Sequence, residues 1–171
     1  AIIAILAAIA IPNFLAAQVR AKVSRAKSEL ATITTGFESY FVDNNAYPLD
    51  YVGGSPTAPG WPYYVGNSLS TPIAYVSSSK INDPFALINR GLGPDDIGSR
   101  YRYVNWQWSG YHSTFPDGTN GDGMWRLWSV GPDGRPASAS NMMYDPTNGT
   151  VSNGDIYRTQ KFGSGYNNQA N

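Results

Sequence analysis

The chain contains no cysteine. That excludes disulfides, zinc–thiolate sites, thiol catalysis and iron–sulfur ligation. Rigidity outside a cell would then have to come from packing, a bound ion or a polymer lattice. Histidine occurs once, as His112 between Tyr111 and Ser113, without the partners that a metal pair or a catalytic triad needs, and is read as a surface residue. There is no Gly-x-Ser-x-Gly elbow, no phosphate loop ending in Lys and no paired-carboxylate motif. Asp95-Asp96, in a Gly/Pro-rich stretch, is read as a solvated turn. These gaps leave no enzymatic constellation. Charge is also scarce, at 14% of residues, and sums to zero, which argues against general nucleic-acid binding.

What is present is uneven. Arg20, Lys22, Arg25 and Lys27 crowd together before the first acid, Glu29. The eight remaining basic residues face all twelve acidic ones, so the rest of the chain carries a net charge of −4. A basic cluster after an apolar run reads as a segment at a membrane surface, as a helix meeting acidic partners, or as a solvated helix face. The 171 residues, 42% hydrophobic, suit one domain with a core of its own. Twelve Tyr, five Trp, 18 Gly and 12 Pro point to a loop-rich exterior with aromatic anchors.

Residues 1–11, AIIAILAAIAI, are wholly apolar. A membrane-spanning helix takes about 20 such residues. A signal peptide would place its basic region first; here the basic residues follow. The run therefore reads as the tail of a longer apolar segment, with a buried N-terminal helix of a soluble protein as the other reading. Pro12 cannot donate the helical hydrogen bond, so a kink, break or restart is expected there, with Asn13 as a cap for the restart.

From Asn13 to about Phe41 the pattern is helical. Val19, Val23, Ala26, Leu30, Ile33, Phe37 and Tyr40 step alternately by four and three, which draws one apolar stripe. Such a helix is roughly 40 Å long. One end is apolar all round and the other is amphipathic. The first end should sit in lipid or among neighbouring helices, and the second should be half covered by the chain's own sheet.

The stretch AIIAILAAIAIPNFLAAQVRAKVSRAKSE resembles the N-terminal region of the type IV pilin and type II secretion pseudopilin superfamily, in which an apolar helix leads into Pro, Asn-Phe and a basic amphipathic continuation. YFVDNNAYP (40–48) resembles the family's helix exit, with Ala46 where Gly is common. LSTPIAYVSS (69–78), DPF (83–85) and YRY (101–103) resemble the region entering the sheet of G-type major pseudopilins, and WSVGPDG (128–134) resembles their calcium-loop signature.

The resemblance implies an α+β lollipop. Residues 1–43 would form a filament-core helix, kinked or unwound near Pro12, and residues 44–171 a globular head. The filament core would comprise Ile2, Ile3, Ile5, Leu6, Ile9, Ile11, Pro12 and Phe14. Val23, Leu30, Ile33 and Phe37 would pack the helix on a three- to four-stranded antiparallel sheet. It also implies peptidase cleavage and N-methylation upstream of Ala1. The implied partners are further copies of the chain in a helical homopolymer, the inner membrane before assembly, and pilus or secretion assembly machinery; no specific nucleic acid is expected. The implied location is a cell-surface filament.

In the head, residues 44–99 read as mostly loop, with one short strand or helix near 73–77. Strand signals fall at 99–108, 124–130 and 155–159, where aromatic and polar residues alternate, so one face should lie on the helix and the other outward. TFPDGTNGDG (114–123) reads as a turn-rich connection, and its Asp117 and Asp122 as a second oxygen cluster or a plain hairpin turn.

Calcium is the one candidate cofactor, since no organic cofactor is indicated. It takes six to eight oxygens from carboxylates and carbonyls. The resemblance implies the Val130 carbonyl, the Asp133 side chain, the Arg135 carbonyl, and then Asp145 or Asp155 as ligands. The chain has YDPTNGTVSNGD where the related proteins have a tight acidic run, and Pro-Asp-Gly and Asp-Pro are also ordinary turns. Asn148-Gly149-Thr150 is a glycosylation sequon. Trp106, Trp108, Tyr111, Trp125 and Trp128 fit either a sugar-stacking platform or sheet packing.

Three functions are thus set out: a subunit of an external pilus, a major pseudopilin of a secretion system, and a membrane-anchored calcium-dependent carbohydrate-binding or adhesin module.

Overall fold

The structure is a computed structural model, and it describes residues 2–52, 63–78, 80–86, 97–106, 123–135, 143–147 and 152–161. Helix α1, Ile2–Asn44, leads the chain. Alanine, the strongest helix former, is the commonest residue of its first half. In its second half Thr32, Thr34, Thr35 and Ser39 turn their hydroxyls onto carbonyls four residues back, at 2.8 to 3.1 Å, so these polar groups are satisfied within the helix.

The helix runs through Pro12 without interruption. This corrects the expected break or restart. Proline removes the N–H that would have reached the carbonyl of Ala8 and crowds that carbonyl with its ring, yet the helix formers on both sides carry the ladder across. The C-terminus closes at Asn45, whose φ of 51° places it in the left-handed region, with its N–H on the Phe41 carbonyl at 2.8 Å.

Among the described residues the sheet has five strands in the order β1 (Asp50–Val52), β2 (Tyr63–Val65), β3 (Arg102–Asn105), β4 (Trp125–Ser129) and β5 (Ile156–Thr159). Each strand is antiparallel to its neighbours. The α+β architecture is the expected one, and β3, β4 and β5 lie within the three segments with alternating aromatics. The hairpin β1–β2 is an addition, since the Gly/Pro-rich sequence around it reads as loop. The short element expected near 73–77 is absent: that segment is a run of bends. Its Tyr75 and Val76 N–H groups bond the Leu69 carbonyl at 2.9 and 3.1 Å, so the chain doubles back instead of extending.

Helix α1 packs on β4 and β5. Val23, Ala26, Leu30, Ile33 and Phe37 are buried to 6% exposure or less. Phe37 meets Tyr103 at 4.4 Å and Trp125 at 5.3 Å between ring centroids. Gly36 is the one poor helix former in the stripe, and packing explains it: a Cβ there would lie 2.6 Å from Val76 Cγ1. The loop crosses the helix where only glycine leaves room.

The second sheet face differs from expectation. Val104, Trp106, Trp128 and Tyr157 form their own buried cluster, and the Arg126 guanidinium lies 5.8 Å from the Trp106 ring and 5.2 Å from that of Tyr157. The alternating "polar" positions are filled by Arg, Trp and Tyr, whose large apolar bodies pack even though their tips are polar. Both faces are therefore buried.

Candidate functional site

The first half of α1 touches almost nothing. Ile2, Ile3, Leu6, Ile9, Ile11, Phe14 and Leu15 are 53% to 84% exposed, and Pro12 is exposed as well. Ile5 lies on the same helix, though its side chain falls outside those described. The helix is long and apolar enough to cross a membrane. Burying a large aliphatic or aromatic side chain contributes about 1.5–3 kcal/mol, so covering this set is worth on the order of 10 kcal/mol. Exposed apolar area of this extent marks a membrane or protein-interaction surface.

Burial sets in at Val23. The basic cluster sits at the changeover, with Arg20, Arg25 and Lys27 exposed and Lys22 half-buried. Arg25 Nε pairs with Glu29 at 2.8 Å, and Glu29 also accepts from the buried Tyr101 hydroxyl at 2.7 Å. Burial, reinforced by that carboxylate, pushes the Tyr101 phenol well up, so it remains a donor. These contacts fix the helix to the sheet at the lower edge of the head.

The residues proposed for calcium are placed as follows. Val130 is buried, and its N–H donates to Asp83 Oδ2 at 2.8 Å. Asp133 accepts from the Arg135 N–H at 3.1 Å. Asp145 is exposed and accepts from the Thr147 N–H at 2.8 Å and its hydroxyl at 2.6 Å, which holds its carboxyl below the ordinary range. Asp155 is buried, with the Tyr157 hydroxyl donating to it at 3.3 Å.

The loop after β4 and the start of β5 come together closely: a Cβ on Gly131, whose φ is +70°, would collide with the Gly154 carbonyl oxygen. Asp133 and Asp145 thus each cap their own turn. Among the described residues no three acidic or histidine side chains gather as a metal cluster. Asn148, Trp108, Tyr111, His112, Asp117 and Asp122 lie outside the described residues. Trp106, Trp125 and Trp128 are buried, and so offer no open stacking platform.

Sequence reasoning missed two buried carboxylates. Asp83 of the Asp-Pro-Phe motif accepts from Phe85 N–H at 2.9 Å, Ser129 hydroxyl at 2.8 Å and Val130 N–H at 2.8 Å. It pins the end of β4, and burial raises its pKa. The local bond to Phe85 is legible as an Asp turn; the reach to residues 129 and 130 has no local signature. Asp50 accepts from the Asn105 N–H at 3.0 Å, and burial pushes its pKa up to about 6. Tyr103 and Asn105 bond the Pro48 carbonyl at 2.8 and 3.0 Å, which fastens the segment after α1 onto β3.

The chain is similar to the type IV major pilin protein PilA of Myxococcus xanthus (strain DK1622), with 51% identity over 47 residues. The match takes in 28% of this chain and 21% of that pilin. No protein-family model matches the chain, and no solved structure does.

Proposed function

We propose that this chain is a structural, non-catalytic subunit of a type IV pilus-like filament, anchored in a membrane before assembly and polymerised through the apolar half of α1. The observation that carries this reading is the division of one continuous helix: residues 2–15 are uncovered while Val23 to Phe37 form the core of a folded head. A lipid bilayer covers such a surface in the free subunit, and the corresponding helices of other copies cover it in a polymer. Contacts between unlike faces of successive copies do not close on themselves, so they build a helical filament. The local similarity to a type IV major pilin supports this choice over a plain membrane anchor.

Electron microscopy of the full-length protein, extracted from membranes and then freed of detergent, tests the reading. Thin helical filaments are expected. Particles that remain monomeric across the accessible concentration range would remove it.

A further inference from the structure

We infer that a basic collar on α1, formed by Arg20, Lys22 and Lys27, binds the phosphate groups of anionic phospholipids where the free subunit leaves the membrane. This rests on the membrane-anchored stage of the reading above. The collar occupies a defined gap. Leu15 is the last large exposed apolar residue of the lower half, and Val23 is the first residue that the head encloses. Eight positions separate them, or about 12 Å along the helix. The headgroup layer of one leaflet is about 5–8 Å deep, so it fits in that gap, where Arg20 and Lys22 lie. Lys27 stands about 10 Å above Arg20. Side chains on a helix lean toward its N-terminus, so the long Lys27 stem reaches back down toward the same layer.

The charges surround the helix instead of striping it. At about 100° per residue, Arg20 and Lys27 share one side, and Lys22 and Arg25 lie on the opposite one. A one-sided stripe suits a helix lying on a surface, whereas a ring suits a surface that the helix crosses. Residues 1–28 contain no acid. The first, Glu29, pairs with Arg25 and accepts from Tyr101. Among the described residues Arg25 alone of the four bases has an acidic partner; Arg20 and Lys27 are exposed and Lys22 is half-buried. At the lower edge of the head, Tyr144 and Pro146 share a hollow with Lys27, and Asp145 between them is held by Thr147. A half-buried tyrosine is a residue type that headgroup layers favour. Outside residues 20–27 the chain nets −4, so the surface that attracts the collar repels the head.

The lack of native cysteine lets one probe be placed cleanly. Ala17→Cys, exposed on α1 just above Leu15, carries a fluorophore in the full-length chain, reconstituted into phosphatidylcholine vesicles. Small amounts of spin-labelled phosphatidylglycerol or spin-labelled phosphatidylcholine then quench it by contact. The anionic lipid should quench about fivefold more strongly per mole, the gain expected of one basic side chain at an anionic surface. In about 1 M salt, where charges are screened within about 3 Å, the preference should fall below about twofold. Adding Arg20→Gln with Lys27→Gln should lower it as far. Lys80→Gln with Lys161→Gln removes the same charge from exposed positions on the head and should leave it intact.

Equal quenching by the two lipids would overturn the lipid contact and leave the membrane anchor standing. So would a preference that salt or the collar pair leaves unchanged, or one that the head pair removes equally. The salt comparison needs no collar substitution, so it decides the matter even where the collar variant fails to fold. No quenching by either lipid would overturn the anchor, and the lipid contact with it.

Discussion

The two halves of α1 are one continuous helix with opposite dependencies. From Val23 to Phe37 the helix finds its apolar partners within the chain: Tyr101, Tyr103, Trp125 and Leu127 belong to the same core. From Ile2 to Leu15 it finds none among the described residues, where Ile2, Ile3, Leu6, Ile9, Ile11, Phe14 and Leu15 stay more than half exposed. The distinction lies in periodicity. An apolar residue every three or four positions matches one sheet face, whereas apolar residues at every position need cover on all sides. The lower half thus leaves its apolar side chains exposed, and the upper half buries its own against the head.

That contrast breaks most visibly with a charge in the lower half. Ile9→Asp should reduce sedimentable polymer at least tenfold, because an ion among packed apolar helices is expensive. The melting temperature of the head should stay within about 2 °C of wild type, as expected of a surface substitution. Normal polymer yield would show that residues 2–15 are not the assembly surface. Truncation in the upper half should do the reverse. Leu30→Ala or Ile33→Ala should cost the head about 2–5 kcal/mol in chemical denaturation, since both side chains are fully enclosed. A loss below about 0.5 kcal/mol would place that stripe against neighbouring subunits instead.

A smaller effect comes from Asp50. Its pKa is about 6 when folded against an ordinary value of 3.8, because burial disfavours its charge. The folded state therefore holds a proton that the unfolded chain releases between those values. The contribution of Asp50 is most favourable below about pH 4 and declines as pH rises through 6, by roughly 3 kcal/mol in all. Asp50→Asn should flatten this decline in urea titrations at pH 4 and pH 7. Asp83 is shifted in the same direction and remains in the variant, so part of the slope should persist; an unchanged slope would remove Asp50 as its source.

The smallest expected change is from chelation. With Asp133 and Asp145 each engaged in a separate turn, EGTA should move the head's melting temperature by less than about 2 °C. A drop of 5 °C or more, reversed by calcium and absent in Asp133→Ala, would show that the loop after β4 does hold the ion.

Much of this architecture was legible in the chain. The alternating three- and four-residue steps marked the stripe from Val23 to Phe37, and alternating aromatics marked β3, β4 and β5, because these signals are local. Three features were not. The hairpin β1–β2 forms in a Gly/Pro-rich region where Asp50, anchored on Asn105, ties β1 to a strand 55 positions away. The burial of the second sheet face was hidden because Arg102 and Arg126 read as solvent-facing, whereas their guanidinium groups lie near aromatic rings. Pro12 suggested a break, but the helix continues through it, its lost hydrogen bond and ring crowding outweighed by the long run of helix on both sides. Around Asp133 the sequence showed the turns and the acids, but which oxygens converge depends on tertiary placement.

The most direct test of the divided helix is a helical reconstruction of the assembled filament by electron cryomicroscopy. The account predicts residues 2–15 packed against the same segment of other copies along the filament axis, with the heads outside. Filaments joined through the heads alone, with residues 2–15 facing solvent, would contradict it.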